Sequence, residues 1–179
     1  MRTSGTTRRR CPRSPPPWPT SSASSIRRAP THSTRTSPPS SPRCPDWTDA
    51  LSSFARNHPR TPVAVTEPVA DYMLEAADAD VKTPWNLQAA IMNDTDPSAQ
   101  DTATQDALFT GKQVKVFLYN QQVTDDTTDK YLQLAKDNGI PVVGVYETMP
   151  ANYHYQDWML AEVKALETAV TQGTSTEHL

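Results

Sequence analysis

Trp47, Ala50, Leu51 and Phe54 fall at i, i+3, i+4 and i+7, which is one apolar stripe of a helix. Asp46 stands where an N-cap belongs, and Asn57, His58 and Pro59 end the stripe. Val63 to Thr66 is a β-branched run between Pro62 and Pro68, predicting a strand that leads into a helix over Val69 to Ala77 with proline at its first position. The stretch from Val81 to Pro97 has room only for a short helix around Leu87 to Met92 inside a long loop. Ser98 followed by Asp101 resembles a capping box and opens a helix to about Phe109, which Gly111 closes. Val114 to Tyr119 reads as a second strand. Thr124 to Asn138 reads as a helix with Tyr131, Leu134 and Ala135 inward, Asp125 and Asp126 in its first turn, and Gly139 as its stop. Pro141 to Tyr146 is a third strand, and a last helix from Tyr155 to Thr171 carries Met159, Val163, Leu166 and Val170 on its buried side.

Strands that alternate with helices and are themselves nearly continuous apolar runs need cover on both faces. The expected fold class is therefore α/β, a parallel sheet flanked by helices.

Charge divides the 179 residues unevenly. Residues 1–45 hold nine Arg and no Lys, Asp or Glu, so the rest of the chain keeps eight basic and twenty acidic residues; the two parts carry +9 and −12. Ten Pro, ten Ser and seven Thr fill most of the first part, which has no apolar face to offset the entropy of ordering it. The expected organisation is a disordered tail over 1–45, one α/β lobe over 46–172 and a flexible end over 173–179. Cys11 and Cys44 both lie in the tail, leaving the lobe without a disulfide, a thiolate ligand or a cysteine nucleophile. With Trp18 as its only aromatic and proline interrupting any helix, the basic tail is a poor nucleic-acid arm. No apolar run is long enough to span a bilayer, and no signal-peptide core follows the arginines; a chain so composed would stay in the cytoplasm.

In an open parallel sheet the ligand crevice lies beyond the carboxyl ends of the strands. Those ends bring Glu67, Asn120 and Glu147 to one crest, an oxygen-rich set that suits a divalent cation, a basic ligand or a shared proton. Ordinary solvated carboxylates near helix starts are the plainer alternative. His154, between Tyr153 and Tyr155, offers a nitrogen ligand or a general base, or packs on the neighbouring rings. The glycines of the lobe are not spaced as a phosphate loop, and neither a GxSxG nor a HExxH pattern occurs.

Four segments taken together are more specific: Val63-Ala-Val-Thr-Glu-Pro-Val-Ala-Asp-Tyr-Met73, Asn93-Asp-Thr-Asp-Pro97, Val116-Phe-Leu-Tyr-Asn120 and Val145-Tyr-Glu-Thr-Met-Pro150. In this order and spacing the chain from Trp47 to Val170 resembles the C-terminal lobe of the zinc/manganese solute-binding proteins of bacterial ABC importers. The resemblance implies two α/β lobes joined by a long helix, with the metal held between them. Trp47 to Phe54 then corresponds to the last turns of the linking helix, Glu67 to the first metal ligand of this lobe, and Glu147 to the second, where aspartate is common. It further implies a monomer that binds Zn²⁺ or Mn²⁺ outside the cytoplasm for delivery to an ABC permease, with no catalysis and no nucleic-acid partner. The alternatives are a fragment or interaction module without a ligand, and a small enzyme using Glu67 and Glu147 as acid and base.

The family's other two ligands are histidines of an N-terminal lobe. A segment of Pro, Arg, Ser and Thr without Lys or acids is what a GC-rich gene gives in a wrong frame. Shifted by two bases, Met1 to Thr20 permits Ala-His-Leu-Trp-Tyr-Asp-Pro-Thr-Thr-Met-Pro-Ala-Val-Ala-Ala-Ala-Val-Ala-Asp, which resembles the family's histidine segment. Residues 1–45 are thus expected to be an out-of-frame piece of such a protein, with the frame restored near Cys44.

Overall fold

The computed structural model describes residues 44–179. The segment expected to be unfolded and out of frame lies outside them, except for its last two residues, which begin the first helix. That helix, α1, spans Cys44–Asn57. Asp46 therefore sits in its first turn rather than capping it, still where the helix dipole favours a carboxylate.

Four strands form one all-parallel sheet: β1 (Pro62–Val65), β2 (Asp80–Val81), β3 (Val116–Asn120) and β4 (Val142–Val145), in the order β2-β1-β3-β4. The sequence pattern predicts three of these. The fourth, β2, is two residues long, and its ladder is Pro62 opposite Asp80 and Val63 opposite Val81. A pair of residues is too short to show a period, so only its pairing with β1 marks it as a strand. The first helical segment after β1 also differs. A 3-10 turn over Pro68–Ala70 carries the proline, and α2 proper is Asp71–Ala76.

The remaining helices are α3 (Trp85–Met92), α4 (Ala99–Thr110), α5 (Asp126–Asp137) and α6 (Tyr155–Gln172). Ser98 caps α4: its Oγ accepts from the Asp101 backbone N–H at 3.1 Å and donates to Asp101 Oδ2 at 2.6 Å. Asp125 is the N-cap of α5 rather than part of its first turn, its Oδ1 accepting from Thr128 N–H at 2.7 Å.

Alternation along the strands divides the core in two. Val63, Val65, Val116, Leu118, Val143 and Val145 face a cluster with α1, α2 and α6, through Phe54, Leu74 and Leu166 among others. Ala64, Phe117, Tyr119 and Val142 face the other side, against Leu87, Phe109 and Tyr131 of α3, α4 and α5. Both faces are covered, which is why the strands read as unbroken apolar runs. The buried side of α6 is set by Trp158, Glu162, Val163, Ala165, Leu166 and Ala169. Met159 and Val170, expected inside, are only partly buried.

Residues 173–179, which the pattern leaves as a flexible end, follow the free edge of β4. Thr176 N–H donates to Val142 O and Gly144 N–H donates to Thr176 O, both at 2.8 Å, and Ser175 Oγ accepts from Val142 N–H at 3.0 Å. Lys136 closes an ion pair on Glu177 at 3.0 Å.

Candidate functional site

The strand order places a reversal between β1 and β3. From β1 the chain crosses by α2 to β2 on one side, then returns by α3 and α4 to β3 on the other. At such a point the two crossovers leave in opposite directions and open a crevice at the carboxyl ends of the strands. Thr66 and Glu67 follow β1 at this place, and Asn120 ends β3. Thr66 Oγ1 accepts the Asn120 backbone N–H at 3.2 Å, and Asn120 Oδ1 accepts from Gln122 N–H at 3.0 Å. These bonds fix the Asn120 side chain with its amide nitrogen left over.

Glu67 is 8 % exposed and Asn120 fully buried. Glu67 Oε1 and Asn120 Nδ2 are both buried without a hydrogen-bond partner among the described residues. The two groups are near enough for the Asn120 amide to act on the Glu67 carboxyl, but no hydrogen bond of good geometry satisfies either atom. Burial pushes the Glu67 carboxyl above its ordinary value; the Asn120 amide pulls it down, and the negative charges of Glu147 and Asp125 push it up again. Glu67, at the floor of the crest, thus feels the charges of the exposed Glu147 and Asp125 at its rim.

Glu147 is positioned from two directions. Gln122 and Thr148 exchange a pair of hydrogen bonds at 2.8 Å each, tying the turn after β3 to the turn after β4. On its other side, Tyr146 N–H donates to Glu162 Oε1 of α6 at 3.1 Å. The same oxygen accepts the Trp158 indole N–H at 2.7 Å. Burial carries the Glu162 carboxyl up to about 7 against the pull of those two bonds.

Beside Glu147, between α1, α2 and α6, lies a cavity of about 460 Å³. Glu147 and Glu162 line it and Glu67 does not. Glu67 and Glu147 thus do not share this cavity. His154, the N-cap residue of α6, is exposed and makes no side-chain cap. The ring contact expected of it is made instead by Tyr155, edge-on to Trp47 at 6.3 Å and to Trp158 at 5.8 Å.

Two groups escaped the sequence reading. Asp125 was legible as a helix-start residue, but its field on Glu67 depends on the β1–β3 neighbourhood. Glu162 lies one turn beyond Trp158 on what reads as an apolar face, and nothing local distinguishes it from a solvated glutamate. Among the described residues no cluster of three or more His, Cys, Asp and Glu side chains is arranged to hold a metal ion, and no helix is long and apolar enough to cross a membrane. Glu67 and Glu147, the pair singled out from the sequence, offer carboxylate oxygens on this crest.

Comparison with curated proteins and with solved structures gave no match. Comparison with protein families matches residues 46–169 to ZnuA, the zinc-uptake complex component A, periplasmic. That span covers the sheet, all its crossovers and the crest with Glu67 and Glu147, and by this match the chain belongs to the family of periplasmic zinc-uptake components.

Proposed function

We propose that the chain binds a divalent metal, Zn²⁺ or Mn²⁺, as cargo for an ABC permease outside the cytoplasm, with Glu67 and Glu147 as the ligands contributed by this lobe. The observation that carries the reading is the Glu67 carboxylate, held at the switch point with one oxygen buried and unpartnered and two like charges nearby. A cation relieves both the missing partner and the mutual repulsion. Asn120 and Asp125 steer and charge the site without being assigned as ligands.

Two carboxylates do not complete a coordination shell. Zn²⁺ takes about four ligands and Mn²⁺ more, with nitrogen donors common for both. On this reading the remaining donors of a tight site come from elsewhere than this crest. This lobe by itself therefore binds weakly, with Kd on the order of tens of micromolar or more and a strong dependence on salt. Isothermal titration of the full chain with Zn²⁺ and with Mn²⁺ tests this. Glu67→Ala is expected to abolish the heat of binding. Submicromolar binding that survives Glu67→Ala would place the site elsewhere, with His154 and His58 as the next residues to change.

A further inference from the structure

The cavity between α1, α2 and α6 has a composition that the metal reading does not use. Five aromatic rings line it beside aliphatic side chains and Met: Trp47 from α1, Tyr72 from α2, Tyr146 after β4, and Tyr155 and Trp158 from α6. Trp47, Tyr155 and Trp158 form a run of edge-on rings. Among the described residues its only charged lining groups are Glu147 and Glu162, and no Lys, Arg or His lines it. Glu162 is 3 % exposed. Both of its hydrogen bonds fall on Oε1, so among the described residues Oε2 is left for the cavity.

We infer that this cavity is a binding site for a small organic ammonium ion, an aryl- or alkylammonium whose nitrogen pairs with Glu162 and whose hydrocarbon part lies among the rings. Charge complementarity selects the cation, because a neutral apolar molecule offers Glu162 Oε2 no donor and a carboxylate ligand would be repelled by Glu147 and by ionised Glu162. The rings select an organic cation over a metal. Aromatic faces attract a weakly hydrated cation, but they cannot replace the oxygen shell a divalent ion loses on entry. A volume of about 460 Å³ lies in the range of small-molecule sites. Glu162 supplies an N–H acceptor, which favours a protonated amine over a quaternary one. The cavity shares Glu147 with the proposed metal site but not Glu67, and the ammonium pairs with Glu162, which the metal site does not use.

The test is a titration of the full chain with 2-phenylethylammonium at pH 8.5, where Glu162 is ionised and the amine still protonated, in the presence of EDTA, followed by calorimetry and by tryptophan fluorescence, with 2-phenylethanol as the neutral isostere. Working in chelator keeps the result independent of whether the chain binds metal. The ammonium ion is expected to bind with Kd on the order of 0.1 to 1 mM and the alcohol at least about tenfold more weakly. Glu162→Gln, which keeps an oxygen for Tyr146 and Trp158, is expected to remove the preference for the charged ligand. Tyr155→Ala, at a residue 52 % exposed, weakens the ammonium several-fold without touching the core. Equal binding of the amine and the alcohol, an unchanged preference in Glu162→Gln, or no binding of the amine at 10-fold above the expected range would each overturn the inference.

Discussion

Glu162 Oε1 accepts the backbone N–H of Tyr146 at 3.1 Å, so a carboxylate from the middle of a buried helix face holds the residue next to Glu147. This bond couples stability to pH. Glu162 is raised from 4.5 to about 7 in the folded protein, chiefly by burial. The folded state therefore holds this proton more tightly than the unfolded chain does. For this group, stability is greatest below the unfolded value, falls as pH rises toward the folded one and is flat above it. The total is about 3 kcal/mol. Urea denaturation of the wild type and Glu162→Gln between pH 4 and 9 should show the difference between them changing over that window, with the variant gaining relative stability on the alkaline side. A pH-independent difference would mean that Glu162 does not titrate there.

The proton on Glu67 answers to its neighbours. With Glu147 and Asp125 both raising it, Glu147→Gln should lower the Glu67 titration midpoint, and Asp125→Asn should do so to a smaller extent while keeping a cap for α5. Carboxyl-carbon NMR of labelled glutamate reads this directly. Burial, the largest cause, is untouched by either change, so the midpoint should remain above that of a free glutamate.

A metal ion on this crest competes with protons for the Glu67 carboxylate, so affinity should fall with acidity. Titrations with Zn²⁺ at pH 7.5 and pH 5.5 are expected to show weaker binding at the lower pH. In Glu147→Gln the remaining binding should be weaker at both.

At Gly144 the C-terminal segment comes close enough that a Cβ would overlap the Glu177 carbonyl. Gly144→Ala is expected to displace residues 173–179 from the edge of β4, at about 1 to 3 kcal/mol, and to speed amide exchange at Gly144 and Thr176. A variant with unchanged exchange would show that the segment accommodates the methyl group by a shift.

Ser98 closes the first turn of α4 through its side chain. Ser98→Ala should destabilise the protein by about 0.5 to 2 kcal/mol, measured by urea denaturation, without altering the Glu67 titration.

The apolar periodicity and the turn residues were enough to place α1, α4, α5, α6 and three of the strands, because each of these elements buries a face long enough to repeat. They also gave the parallel sheet, since strands apolar on both sides need two layers of helix. Glu67 and Glu147 were legible as candidates for the same reason: in a parallel sheet every strand end lies on one crest. Strand order was not legible. Placing β2 outside β1 rests on a two-residue ladder, Pro62 with Asp80 and Val63 with Val81, and that placement alone makes β1 and β3 the switch point. The burial of Glu67, its unpaired oxygen and the field of Asp125 all follow from that neighbourhood. Glu162 and the path of residues 173–179 were decided in the same way. A carboxylate inside and a polar end paired to a strand edge cannot be told from solvated ones by local pattern, because the hydrogen bonds that satisfy them come from residues far away in the chain.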